Sequence, residues 1–127
     1  MQSLYFFNWP SHIGGADTKL VHLLDLLRGS YRLTVIPNTR ERLQEAHWCE
    51  WLSQRGIAFC LEEHLPARCE GWAVSLCNGE FFTASICRRA KERGLKVAWS
   101  NEMMWHFPAE VGAIALGMVD CVLYTSH

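Results

Sequence analysis

The chain has 127 residues, half of them hydrophobic and a fifth charged, with a formal net charge of -1. That is the size and make-up of one globular domain with a real core. The near-zero charge argues against a bulk nucleic-acid binder, which is normally basic. No apolar run approaches the roughly 20 residues of a membrane span, and the start lacks a signal-peptide pattern, so the expected location is the cytoplasm.

Apolar runs alternate with helical patterns along the chain. Residues 4–8 (Leu4, Tyr5, Phe6, Phe7, Asn8) read as a buried strand. A loop containing Gly14 and Gly15 follows, then a helix over 19–27 with Leu20, Leu23, Leu24 and Leu27 on one stripe, ending near Gly29. Residues 33–36 form a second strand, closed by Pro37. Asn38 with Glu41 three residues on reads as a capping box for a helix carrying Leu43, Ala46, Trp48, Trp51 and Leu52 and ending at Gly56.

A third strand is expected over 57–61, a polar loop over 62–71 and a fourth strand over 72–77. Asn78 caps a helix from about 80 to 93, with a basic last turn that suits the helix dipole and Gly94 as its C-cap. Residues 95–99 form the fifth strand. Pro108 opens another helix, with Val111, Ile114, Ala115 and Met118 on one face, and 121–124 form the sixth strand. The pattern predicts an α/β, three-layer, Rossmann-like domain over 1–127, with a mostly parallel, doubly wound sheet.

Ligands of such sheets bind beyond the carboxyl ends of the strands. Asn, Ser, His and Glu gather in the segments expected there. The Gly14-Gly15 pair suits either a phosphate cradle, where a Cβ would block close approach, or a plain tight turn. It is not a dinucleotide fingerprint: no third glycine follows at the required spacing, which places NAD and FAD low. Asp17 and Thr18 read as N-cap residues before ligand contacts. Glu102 and His106, just past the fifth strand, place a carboxylate and an imidazole where acid–base work or sugar binding could occur, or are an ordinary loop pair.

The cluster Met103, Met104, Trp105 and Phe107 suits a cleft cover or a contact with another domain. Arg88, Arg89, Lys91, Arg93 and Lys96 read first as a solvated helix end and second as a membrane-surface patch. The six cysteines contain no C-x-x-C pair, which favours reduced, buried thiols over a zinc or disulfide framework. The six histidines show no metal-ligand spacing.

The strand over 4–8, the segment Ile13-Gly14-Gly15-Ala16-Asp17 and the leucine-rich helix resemble the N-terminal domain of two-domain (B-type) glycosyltransferases of family 4. The strand–helix–strand from Trp72 to Trp99 and the last strand, followed by Thr125-Ser126, extend that resemblance over the whole chain. It implies sugar transfer from a nucleotide-sugar donor to a glycan or lipid-linked acceptor, with no metal and no further cofactor. Gly14 and Gly15 would meet the donor diphosphate, Glu102 or His106 would serve catalysis, and His12, Asn78 and Asn101 would contact the acceptor. The family's second Rossmann domain, with its E-x7-E motif, is absent from these residues, so the chain alone is expected to be an inactive acceptor-side half. The family's location implies the cytoplasm or the inner membrane face, with peripheral membrane contact. The competing reading is a non-catalytic module that binds a nucleotide or a partner through the same loop edge.

Overall fold

A computed structural model describes residues 1–11, 15–76, 84–101 and 120–124, and for 15–17, 101 and 121–124 the backbone alone. The elements in chain order are β1 (Ser3–Phe6), α1 (Gly15–Leu27), β2 (Arg32–Val35), α2 (Ala46–Gln54), β3 (Ala58–Phe59), β4 (Trp72–Leu76), α3 (Ala84–Glu92), β5 (Lys96–Asn101) and β6 (Cys121–Tyr124). The six strands form one sheet in the order β3-β2-β1-β4-β5-β6, and every pairing is parallel. This is the doubly wound, Rossmann-like α/β architecture expected from the sequence.

Strand alternation sorts the core into two layers. Phe6, Leu33, Val35 and Leu76 pack with Leu20 and Leu24 of α1 and Trp48 and Leu52 of α2 on one face. Phe7, Ile36, Ala73, Val97 and Trp99 pack with Cys87 and Ala90 of α3 on the other. Helices cover both faces, so most strand residues are apolar, and Leu20, Leu24, Val35, Leu52 and Val97 are fully buried.

Two helices end in the same way. After α2, Gly56 N–H donates to Ser53 O and Ile57 N–H to Leu52 O; after α3, Gly94 N–H donates to Lys91 O and Leu95 N–H to Ala90 O. Both are Schellman motifs, and Gly56 (φ 70°) and Gly94 (φ 92°) supply the left-handed residue they require. Gly94 is thus the C-cap that the sequence indicated.

Several boundaries differ from expectation. α1 starts at Gly15, four residues before the start expected at residue 19. The helix expected from Asn38 is split into a 3-10 turn over Arg40–Gln44 and α2, with Glu45 between them at ψ 83°. The capping box does not form: Thr39 takes the N-cap position and makes no side-chain cap bond. The third strand shrinks to Ala58–Phe59.

Residues 60–71 carry only a 3-10 turn, Glu62–His64. They are nonetheless part of the core, because Leu61, Leu65 and Cys69 are buried. Those three positions are spaced as one helical stripe. Pro66 interrupts the helix by holding Leu65 extended, at φ -70° and ψ 147°. An extended strap therefore lies across the face that a crossover helix would otherwise cover. The helix expected from Pro108 lies outside the described residues. Among the described residues, no helix is long and apolar enough to cross a membrane.

Candidate functional site

With β1 at the centre, the winding reverses between β1 and β4, and the carboxyl ends of these strands form the switch point. The backbone is handled there by a side chain. Phe7 N–H still donates to Val74 O at 2.8 Å, in the regular ladder. The next two ladder positions are taken by the Asn8 carboxamide. Leu76 N–H donates to Asn8 Oδ1 at 2.9 Å, and Asn8 Nδ2 donates to Leu76 O at 3.3 Å. Ser75 Oγ reaches Phe7 O at 3.5 Å. The chain can leave the sheet after Phe7 while the end of β4 stays paired, although Asn8 and Leu76 are both buried. Trp9 follows, buried and edge-on to Phe59 at 6.3 Å. Its indole N–H has no partner among the described residues.

Beyond this point a crevice of about 420 Å³ opens at the carboxyl edge, on the α3 face. Its floor is apolar: Phe7, Ile36, Leu61 and Ile86. Its rim is made of planar polar groups: Asn38, Arg40, Glu62, Glu63 and Arg89. Arg89 holds Glu62 with two hydrogen bonds, Nε at 2.6 Å and Nη2 at 2.9 Å. Arg93 lies 3.6 Å from the same carboxylate and donates to the backbone carbonyls of Glu62 and Pro66. Arg40 donates to Glu63 at 2.8 Å. The hydrogen bond to Glu62 raises the pKa of Arg89, so it stays charged throughout. The strap is therefore tied to α3 by Glu62, and the rim presents two Arg–Glu pairs side by side. Such forks offer vicinal hydroxyls paired donors and acceptors in one plane.

The opposite edge holds a second side-chain ladder. Asp120, which opens β6, accepts Val97 N–H at 2.7 Å and Lys91 Nζ at 2.6 Å on Oδ2, and its own N–H donates to Val97 O. Burial pushes its carboxyl up, but these hydrogen bonds and the charges of Lys91 and Lys96 outweigh that and leave its pKa lowered.

Of the residues singled out from the sequence, Gly15 is the first residue of α1 and Asn101 the last of β5. Both lie at the carboxyl edge, which sets a helix N-terminus beside the switch point. His12, Gly14, Asn78, Glu102 and His106 lie outside the described residues, as does the cluster 103–107. The basic turn of α3 is not simply solvated: Arg89 and Arg93 bind Glu62, and Lys91 binds Asp120. Lys96 lies over the Trp72 ring at 5.5 Å. Cys49, Cys60, Cys69 and Cys87 are free thiols. No group of His, Cys, Asp and Glu among the described residues could hold a metal ion.

The roles of Asn8, Arg40, Glu62, Glu63 and Arg89 were not read from the sequence. Asn8 had one legible signal, a polar residue closing an apolar strand. The others are brought together only by the sheet order. No protein-family model matches the chain, no curated protein matches it and no solved structure matches it.

Proposed function

We propose that this domain is the acceptor-side half of a glycosyltransferase that moves a sugar from a nucleotide-sugar to a glycan or lipid-linked acceptor at the cytoplasmic side of a membrane. The observation that supports this most is the crevice at the carboxyl edge of the sheet. An apolar floor under a rim of Asn38, Arg40, Glu62, Glu63 and Arg89 suits the apolar face and the hydroxyl edges of a sugar ring, and its 420 Å³ takes one or two rings.

The donor diphosphate would lie against the N-terminus of α1, where backbone N–H groups at Gly14 and Gly15 and the helix dipole offset its charge without a metal. Asn101, His12 and Asn78 would contact acceptor hydroxyls, and Glu102 or His106 would orient or deprotonate the attacking one. A second Rossmann domain, in the same or another chain, would complete the donor site.

The test is a titration of ¹⁵N-labelled chain with glucose, mannose and N-acetylglucosamine, and separately with UDP. At least one sugar should shift the amides of Asn38, Glu63 and Arg89 at millimolar concentration, and UDP should shift those from Gly15 onward. Shifts from UDP with none from any saccharide would favour a nucleotide-binding module without catalysis. Silence toward both would refute both readings.

A further inference from the structure

At the amino edge of the sheet, remote from the crevice, a polar pocket of about 360 Å³ is framed by Ser3, Tyr5, Arg32, Arg68, Glu70 and Gly71. Its walls are built by backbone constraints. Ser3 and Arg32 are direct register partners at the starts of β1 and β2, and Arg32 N–H donates to Gln2 O at 3.0 Å. Gly71, at φ 116°, presses on β1 so closely that a Cβ there would lie 2.0 Å from Ser3 O. The Arg68 guanidinium passes beside Gly94, with Cζ and Nη2 3.7 Å from where a Cβ at that position would stand.

Three charged side chains thus line one small pocket. Among the described residues, no ion pair joins Arg32, Arg68 or Glu70 to any other group. By contrast, Arg40, Arg89, Lys91 and Arg93 each have a carboxylate partner. Burial, reinforced by the Cys69 thiol beside it, raises the pKa of the Tyr5 phenol, so it remains a neutral hydrogen-bonding group at the pocket wall.

We infer that this pocket is a binding site for a small phosphomonoester that carries hydroxyl groups. Arg32 and Arg68 both line this concavity, and planar guanidinium forks match phosphate oxygens bidentately. The unpaired Glu70 carboxylate accepts hydrogen bonds only, which suits the hydroxyls of the ligand and disfavours a bare anion. Inorganic phosphate would fill little of 360 Å³, a volume at the lower end for small-molecule sites. The pocket is separate from the crevice, and this inference does not depend on the glycosyltransferase reading.

Ribose 5-phosphate is a suitable probe, with ribose and inorganic phosphate as comparisons. Titrated into the ¹⁵N-labelled chain, ribose 5-phosphate should saturably shift the amides of Ser3, Arg32, Glu70 and Gly71, and ribose should not. The exposed positions allow a double variant, Arg32→Gln with Arg68→Gln, which should weaken binding at least tenfold with an unchanged circular dichroism spectrum. Glu70→Gln should weaken ribose 5-phosphate while sparing inorganic phosphate. Absence of localised shifts, or wild-type affinity in the double variant, would overturn the site. Equal affinity for ribose 5-phosphate and inorganic phosphate would overturn its assignment to a phosphomonoester.

Discussion

Replacing Asn8 with Ala removes both partners of a buried backbone residue at once. Leu76 N–H and Leu76 O, bonded to the Asn8 carboxamide at 2.9 and 3.3 Å, lose their hydrogen bonds in a place water does not reach. An unsatisfied buried backbone group costs about 1–3 kcal/mol, so the two together cost about 2–6 kcal/mol. A domain of this size holds roughly 5–15 kcal/mol in total, so the loss would be large. Urea unfolding followed by tryptophan fluorescence measures it, with six tryptophans as reporters. The midpoint should fall sharply while the slope stays constant, since the surface exposed on unfolding hardly changes. Asn8→Asp is the informative companion. It keeps the acceptor for Leu76 N–H but sets a carboxylate oxygen against Leu76 O, and it should be at least as destabilising as Ala at neutral pH. Ser75→Ala deletes only a 3.5 Å contact and should cost well under half as much. If Asn8→Ala stays within about 0.5 kcal/mol of wild type, the range expected of an indifferent surface change, the carboxamide is not holding the switch point.

The remaining predictions concern other parts of the sheet. Gly71→Ala combines a Cβ placed 2.0 Å from Ser3 O with φ 116° and should cost more than about 3 kcal/mol, whereas Gly56→Ala meets no atom within 4 Å and should cost about 1–2 kcal/mol; thermal melts compare them. Burial pushes the Cys87 thiol up to about 12, so native protein treated with iodoacetamide at pH 8 should leave Cys87 unmodified, and rapid labelling seen by peptide mass spectrometry would contradict its placement against the sheet. The pKa of Asp120 is lowered on folding, so its contribution is present above its unfolded value of about 3.9 and fades as pH falls from there through the lower folded value. Asp120→Asn should flatten that part of the acid-unfolding curve, and an unchanged curve would mean that Lys91 and Val97 do not hold the carboxylate.

The strand pattern was legible because the strands read as mostly apolar runs, and β4, with no exposed residue, shows why: a strand covered on both faces needs apolar residues on both. The last strand, 121–124, matches its expected bounds, and β2 and β5 are displaced by one or two residues. Helix starts were harder. The first turn of α1 carries no leucine, so the stripe announces the helix only at Leu20. The split before α2 has a geometric cause. Trp48 and Leu52 are about 40° apart around a helix, but Leu43 would stand about 140° from Trp48 on a continuous one. A break at Glu45 lets Leu43 reach the same core. Residues 62–71 read as a polar loop because charged residues surround Leu65 and Cys69, and Pro66 hides the helical spacing they share with Leu61. At the crevice, Asn38 was legible as lying at a strand end. The Glu62–Arg89 fork was not, because its partners are 27 residues apart and no local pattern links them.

The central position of β1 has a consequence for synthesis. The strand emerges first, yet one of its edges pairs with β4, and the Asn8–Leu76 hydrogen bonds join residues 68 apart in sequence. Until residue 76 has left the ribosome, a half-sheet of β1, β2 and β3 presents the backbone of Leu4, Tyr5 and Phe6 as an open parallel edge. Such edges recruit foreign strands, and domains are completed from the N-terminus at synthesis speed. The nascent chain is thus most exposed to mispairing between the completion of β3 and the arrival of β4, and slow codons placed in that interval should lower the yield of folded protein.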